Sequence, residues 1–142
     1  MKNILFIFCL AVLSSCGSSS CESGLSVEEY IAENNLTTKE LSEGVHIIID
    51  KPGNSVKPSL SDVITVAYEG RLTNGNVFDG SDNSEFPLGN LIRGWQIGLP
   101  EIGEGGECTL ILPYDVGYGC AGTGPIPGGA TLVFDMTLKK VN

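Results

Sequence analysis

Residues 62–78 read Asp62-Val63-Ile64-Thr65-Val66-Ala67-Tyr68-Glu69-Gly70-Arg71-Leu72-Thr73-Asn74-Gly75-Asn76-Val77-Phe78, and the fold follows from them. The run from Asp62 to Tyr68 is rich in β-branched residues, which suit a pleated, half-buried surface. Asn74-Gly75 then stands between Arg71-Leu72 and Val77-Phe78. A short Asn-Gly link between such segments signals a hairpin, because these residues tolerate the positive φ that the turn needs. A strand and its antiparallel return are therefore expected here.

Working outward, Val45-His46-Ile47-Ile48-Ile49 is a second β-branched run, halted at Pro52-Gly53, and Glu107–Leu112 gives a further strand. In Thr131–Leu138, Leu132, Phe134, Met136 and Leu138 alternate with Thr131, Asp135 and Thr137, so one face of that strand meets a core. Val133 breaks the polar side. Pro100 and the glycines at 103, 105 and 106 limit the only internal helix, around Gly94–Leu99, to one or two turns. Near the start, Ser26-Val27-Glu28-Glu29 is a capping box. Val27, Tyr30 and Ile31 then share one face of a helix over about 27–34, which ends at Asn34-Asn35 and either packs on the domain or acts as a spacer. The expectation is an α+β fold, an antiparallel β-sheet of four to six strands wrapped over one short α-helix, with a short N-terminal helix.

Composition narrows the function classes. The 142 residues carry 17 Asp+Glu against 8 Lys+Arg, a formal charge of −9. No basic run is present to neutralise phosphates, so nucleic-acid binding is not expected. With 19 glycines, 7 prolines and 18% charged residues, the chain suits a turn-rich β-domain rather than a helical bundle or a disordered segment.

The amino terminus, MKNILFIFCLAVLSSCGSSS, has one Lys, an apolar stretch from Ile4 to Leu13 and then small residues, the pattern of a secretory signal. It is too short to span a membrane as a helix, which takes about 20 residues. Leu13-Ser14-Ser15-Cys16 looks like a bacterial lipobox, in which Cys16 is lipidated and becomes the new amino terminus; the alternative is an ordinary secretory signal with an incidental Cys. The expected division is a signal peptide over 1–15, a lipidated Cys and flexible tether over 16–24, a helix and linker over 25–43, and the main domain over 44–142. Its location would be the bacterial cell envelope, anchored to a membrane by lipid and facing the periplasm.

Of five cysteines, Cys9 would leave with the signal and Cys16 carry the lipid, which leaves Cys21, Cys108 and Cys120. In an oxidising compartment Cys108 could pair with Cys120. Otherwise Cys108 is a small core residue and Cys120 a loop thiol. His46 is the only histidine, and no ligand set for a zinc ion accompanies it.

Residues 44–141 resemble the FKBP family of macrolide-binding peptidyl-prolyl isomerases through several ordered motifs. Tyr68 to Ser81 resembles its Y-x-G-x-L-x-N/D-G-x-x-F-D-x-S segment, and Leu91-Ile92-Arg93-Gly94-Trp95 its V-I-x-G-W. Tyr118-Gly119, Ile126-Pro127 and Ala130-Thr131-Leu132-Val133-Phe134 resemble its Y-G, I-P and A-T-L-V-F segments. The resemblance implies a shallow apolar pocket lined by Tyr68, Phe78, Asp79, Leu91, Ile92, Trp95, Tyr118, Ile126 and Phe134. A substrate proline would rest on Trp95, with the Ile92 backbone N–H and the Tyr118 hydroxyl meeting substrate carbonyls and Asp79 interacting with Tyr68. Without the resemblance, Phe78 and Phe134 are equally well read as core packing, and Asp79 as a turn residue before Gly80.

The same resemblance implies proline-containing polypeptides and a macrolide as ligands, a monomer, and no metal or cofactor. Of two functions, a periplasmic foldase that isomerises X–Pro bonds and a non-catalytic module that holds proline-containing peptides, the intact Trp95, Tyr118, Phe78 and Asp79 favour the first, and Ser84 is the argument for the second. The chain departs from the family pattern at Ser84, where an aromatic commonly stands, and at Pro125, where an aliphatic residue often sits. Peptide preference and macrolide affinity turn on those two positions.

Overall fold

The computed structural model describes residues 21–142; the expected signal peptide, Cys16 and the Gly17–Ser20 linker lie outside the described residues. Eight principal elements follow in order: α1 (Val27–Glu33), β1 (Lys39–Glu40), β2 (His46–Lys51), β3 (Val63–Leu72), β4 (Val77–Pro87), α2 (Arg93–Gly98), β5 (Glu107–Leu112) and β6 (Leu132–Val141). The strands form one antiparallel sheet in the order β1-β2-β5-β6-β3-β4. The fold class is the one expected. The short strand β1 and most of the length of β4 carry too little apolar alternation to be read in advance.

The β3–β4 hairpin turns where Asn74-Gly75 predicts. Gly75 N–H donates to the Leu72 carbonyl at 2.9 Å, and Leu72 N–H donates to the Asn76 carbonyl at 2.9 Å. Gly75 takes φ 90° while Asn74 stays at negative φ. The connection is therefore a three-residue loop with its glycine in the left-handed position, rather than a two-residue link with both central residues at positive φ.

One face of the sheet closes over α2. Val45, Ile47, Ile64, Val66, Leu110, Leu112, Leu132, Phe134, Met136 and Leu138 form the core with Leu99 and Ile102. The helix lies directly against β5, because a methyl group on Gly94 would come within 2.5 Å of Leu112 and one on Gly98 within 2.5 Å of Leu110. Two glycines four residues apart lie on one side of a helix, and here that side is the contact. Arg93 donates twice to one oxygen, Glu43 Oε1, from Nε at 3.0 Å and Nη2 at 2.7 Å, and this ion pair ties the start of α2 to the turn before β2.

The opposite face explains Val133. Val133 and its cross-strand neighbour Ile111 are fully buried beneath Val27, Tyr30 and Ile31 of α1. The N-terminal helix thus packs on the back of the sheet, and the exception in the β6 alternation is its docking site. Its capping box is formed: Glu29 N–H donates to Ser26 Oγ at 3.2 Å and Ser26 N–H to Glu29 Oε2 at 2.9 Å.

Cys120 does not pair with Cys108. It forms a disulfide with Cys21, across 99 residues of sequence. Cys108 is a buried free thiol inside β5, its pKa pushed up to about 12 by burial and the nearby Asp50 and Asp135 charges. Strand β5 aims Cys108 into the core, whereas Cys120 sits in a surface loop beside the N-terminal segment. Ser23 N–H donates to the Gly129 carbonyl at 2.9 Å, so the chain just after Cys21 runs along the same loop. Closing a loop of this length restricts the unfolded chain by roughly 4–5 kcal/mol in the chain-entropy treatment. Reduction, or Cys21→Ser, should lower the denaturant midpoint accordingly without changing the fold, as checked by urea unfolding with and without reductant.

Candidate functional site

At the amino-terminal end of α2 a cavity of about 210 Å³ opens between helix and sheet, lined by Tyr68, Phe78, Asp79, Phe86, Leu91, Ile92, Trp95, Tyr118 and Phe134. Strand β3 contributes Tyr68, β4 Phe78, Asp79 and Phe86, the turn into α2 Leu91 and Ile92, α2 Trp95, and β6 Phe134. Tyr118 comes from the glycine-rich loop between β5 and β6. Eight of the residues singled out from the sequence therefore meet in one place. Ile126 does not join them: it is 6% exposed and belongs to the core, because paired backbone hydrogen bonds with Thr123 at 3.0 and 2.8 Å fold it back beneath its loop.

Phe86 is the lining residue that sequence reading missed. The available signal was its period-two relation to Ser84, which places both on one side of a regular strand. Ser84 itself donates to Ser81 Oγ at 2.7 Å and lines no part of the cavity.

Trp95 is the floor. Its indole, 4% exposed, is met edge-on by Tyr68 (centroids 5.1 Å), Phe134 (5.2 Å) and Phe86 (6.3 Å). Phe78 stands at right angles to Phe134 at 5.5 Å. Each such pair contributes about 0.5–1.5 kcal/mol beyond area burial and holds its neighbour in one orientation. The wall depends on Gly70, where any side chain would lie within 2.7 Å of both Phe134 and Phe78.

The polar groups fall into two sets. Tyr68 Oη donates to Asp79 Oδ2 at 2.9 Å, and Gly80 N–H donates to Asp79 Oδ1 at 2.8 Å, so both carboxylate oxygens are held and the Tyr68 proton is engaged. By contrast the Tyr118 hydroxyl, on a side chain 37% exposed, makes no hydrogen bond among the described residues. Neither does the backbone N–H of Ile92, the residue that caps α2. The Trp95 indole N–H is likewise unpaired. Burial, and secondarily the Asp79 charge, raises the pKa of Tyr118, so its hydroxyl stays a donor.

A larger, more open concavity of about 500 Å³ is lined by Asp50, Glu69, Asp82, Glu107, Thr109 and Asp135 among others. Tyr68 is the one aromatic residue that lines it, and its five carboxylates suit water rather than an apolar ring.

An antiparallel sheet closed over a short helix, with an aromatic cavity at the start of that helix, defines an FKBP-like protein. The family model for FKBP-type peptidyl-prolyl cis-trans isomerases matches residues 54–139, and the chain belongs to that family. A probable FKBP-type isomerase of Neisseria meningitidis, FkpA, is 39% identical over 121 residues, which cover 80% of this chain and 44% of that protein. FK506-binding protein 1A of Aspergillus fumigatus is 38% identical over 107 residues, or 70% of this chain and 96% of the relative. Among solved structures, a peptidyl-prolyl cis-trans isomerase from Pseudomonas syringae matches with a TM-score of 0.75 and 32% identity over 82% of this chain and 90% of that one. FkpA from Escherichia coli matches with 0.77 and 34% over 82% and 57%. The chain spans less than half the length of the FkpA sequences that it matches.

The Tyr68–Asp79 bond has a measurable consequence. Burial first, and the bond to Asp79 second, raise the Tyr68 phenol from 10.0 to about 12. The unfolded chain gives up this proton near 10 while the folded chain keeps it, so stability is intact below pH 10 and is lost as pH rises toward 12. Tyr118 and Cys108 shift in the same direction. Tyr68→Phe should therefore make the fall in urea midpoint over this interval shallower without removing it.

Proposed function

We propose that this protein is a peptidyl-prolyl cis/trans isomerase that assists the folding of exported proteins. One observation carries the reading: the aromatic cavity has a buried indole floor, and Ile92 N–H and Tyr118 Oη at its edge have no partner among the described residues. Rotation about an X–Pro bond crosses a barrier of about 18–20 kcal/mol because twisting the amide breaks its resonance. The planar amide is the more dipolar state, so an apolar cavity that strips its water disfavours the ground state more than the twisted one. Trp95 supports the proline ring, Phe78 and Phe134 exclude water, and Ile92 N–H and Tyr118 Oη hold the flanking carbonyls in the twisted geometry. Asp79 sets the polar edge through Tyr68. The reaction needs no acid, base, metal or cofactor.

Export is supported by the Cys21–Cys120 disulfide, a bond that persists in oxidising compartments, and by the apolar leader before Leu13-Ser14-Ser15-Cys16. In this reading Cys16 carries the lipid and the domain works as a monomer at the periplasmic face of a bacterial membrane. Cys16→Ser should then release the protein from the membrane fraction; continued sedimentation with membranes would refute the anchor.

The catalytic test is a prolyl-peptide isomerisation assay, with thermal stability followed in the same variants. Trp95→Ala should weaken both peptide binding and turnover. A single hydrogen bond nets about 0.5–1.5 kcal/mol, so Tyr118→Phe should slow turnover roughly threefold to tenfold. Asp79→Ala should cost more, since it also frees Tyr68, and Phe78→Ala more again with some loss of stability. FK506, the ligand named for the Aspergillus relative, should compete for the same cavity. A folded wild-type domain that binds proline peptides without accelerating isomerisation would replace this reading with that of a peptide-holding module, for which Ser84 is the sequence argument.

A further inference from the structure

We infer that Gln96 is a positioning residue, which aims and strengthens the Ile92 N–H as a hydrogen-bond donor. This rests on the proposed role of Ile92 at the isomerase site. The Gln96 side-chain nitrogen, Nε2, donates to the Leu91 carbonyl at 2.8 Å and to the Gly89 carbonyl at 3.1 Å. Both partners are acceptors, so the amide group must present its NH2 to them, and the orientation follows from the network.

The Leu91 carbonyl belongs to the same peptide unit as the Ile92 N–H. That unit is planar, and its C=O and N–H point to opposite sides. Holding the oxygen on one side therefore fixes the direction of the N–H on the other, which meets no acceptor among the described residues. A hydrogen bond accepted by a peptide oxygen also polarises the unit and makes its N–H a better donor. The second bond, to Gly89, fixes the chain two residues earlier. Leu91 N–H meanwhile donates to the Leu88 carbonyl at 3.2 Å, so the corner before α2 is held from within and from the helix. Gln96 is the fourth residue of α2, one position after Trp95. A single short helix thus supplies both the floor of the cavity and the brace for the donor at its edge.

Gln96→Met keeps the side-chain length and loses both donors. Gln96→Glu sets a carboxylate against two carbonyl oxygens, but once protonated it can donate one hydrogen bond again. In the full chain at neutral pH, both variants should lose roughly tenfold in kcat/KM, which corresponds to about 1.4 kcal/mol of transition-state stabilisation. Thermal stability should fall to a similar degree in both variants, so it cannot account for a difference in their pH response. Only Gln96→Glu should recover activity as the pH is lowered toward its carboxyl pKa, which the facing carbonyls hold above the ordinary value of about 4.3. The Ile92 amide nitrogen resonance, which senses hydrogen bonding at the preceding carbonyl, should move in both variants and should titrate with pH only in Gln96→Glu. Unchanged kcat/KM with an unmoved Ile92 resonance would overturn the inference. So would a pH-independent loss of activity that follows the loss of stability. If wild type proves inactive, the isomerase reading fails, and the Ile92 resonance and its titration still decide whether Gln96 holds the donor.

Discussion

The close seating of α2 on β5 is the contact on which the other features of the site depend. Gly94 and Gly98 leave no room for a side chain against Leu112 and Leu110, so this six-residue helix lies flat on the sheet. A helix so short has little stability of its own; it persists because it is the hydrophobic plug of a curved sheet. Gly94 also faces inward beside Trp95, so the same approach brings the indole within reach of Tyr68, Phe86 and Phe134. The rings come from three strands of the sheet and hold the indole between them.

Polar groups around this apolar centre are divided between those already engaged and those left for a ligand. Asp79 is occupied by Tyr68 and by Gly80 N–H, and the Gln96 amide by Gly89 and Leu91. Ile92 N–H and Tyr118 Oη have no partner among the described residues. A donor held in place without a partner gains more from an incoming carbonyl than a mobile one would, since little further ordering is needed when the bond forms.

Tyr118 lies in a loop containing Gly117, Gly119, Gly122 and Gly124, a composition with much conformational freedom to lose. That freedom is curtailed from outside the loop. The disulfide holds Cys120, two residues from Tyr118, to Cys21, and Ser23 binds Gly129 near the other end. Four residues later the chain enters α1 on the back of the sheet. Residues that look like a tether and spacer when read in order therefore restrain the loop at one end and cover Ile111 and Val133 at the other.

Local signals were enough for β2, β3, β5 and β6, the hairpin position, the N-terminal capping box and the limits of α2, because each rests on neighbouring residues: β-branched or alternating runs, Asn-Gly, Ser-x-x-Glu, and glycines and prolines that stop a helix. The motifs shared with the FKBP family were enough to gather most of the cavity residues, because the resemblance carries that family's pocket onto the matching positions. What the sequence by itself could not determine involves residues far apart in the chain whose meeting depends on how the elements pack. The partner of Cys120 was settled when the amino terminus came to lie along the loop over 117–129, while β5 turned Cys108 into the core. The inward turn of Ile126, the place of Phe86 at the cavity and the burial of Val133 under α1 were likewise decided by packing. So was the bond from Gln96 to the Leu91 carbonyl, because a side chain on a helix surface finds a particular peptide unit only after the turn before that helix has taken its shape.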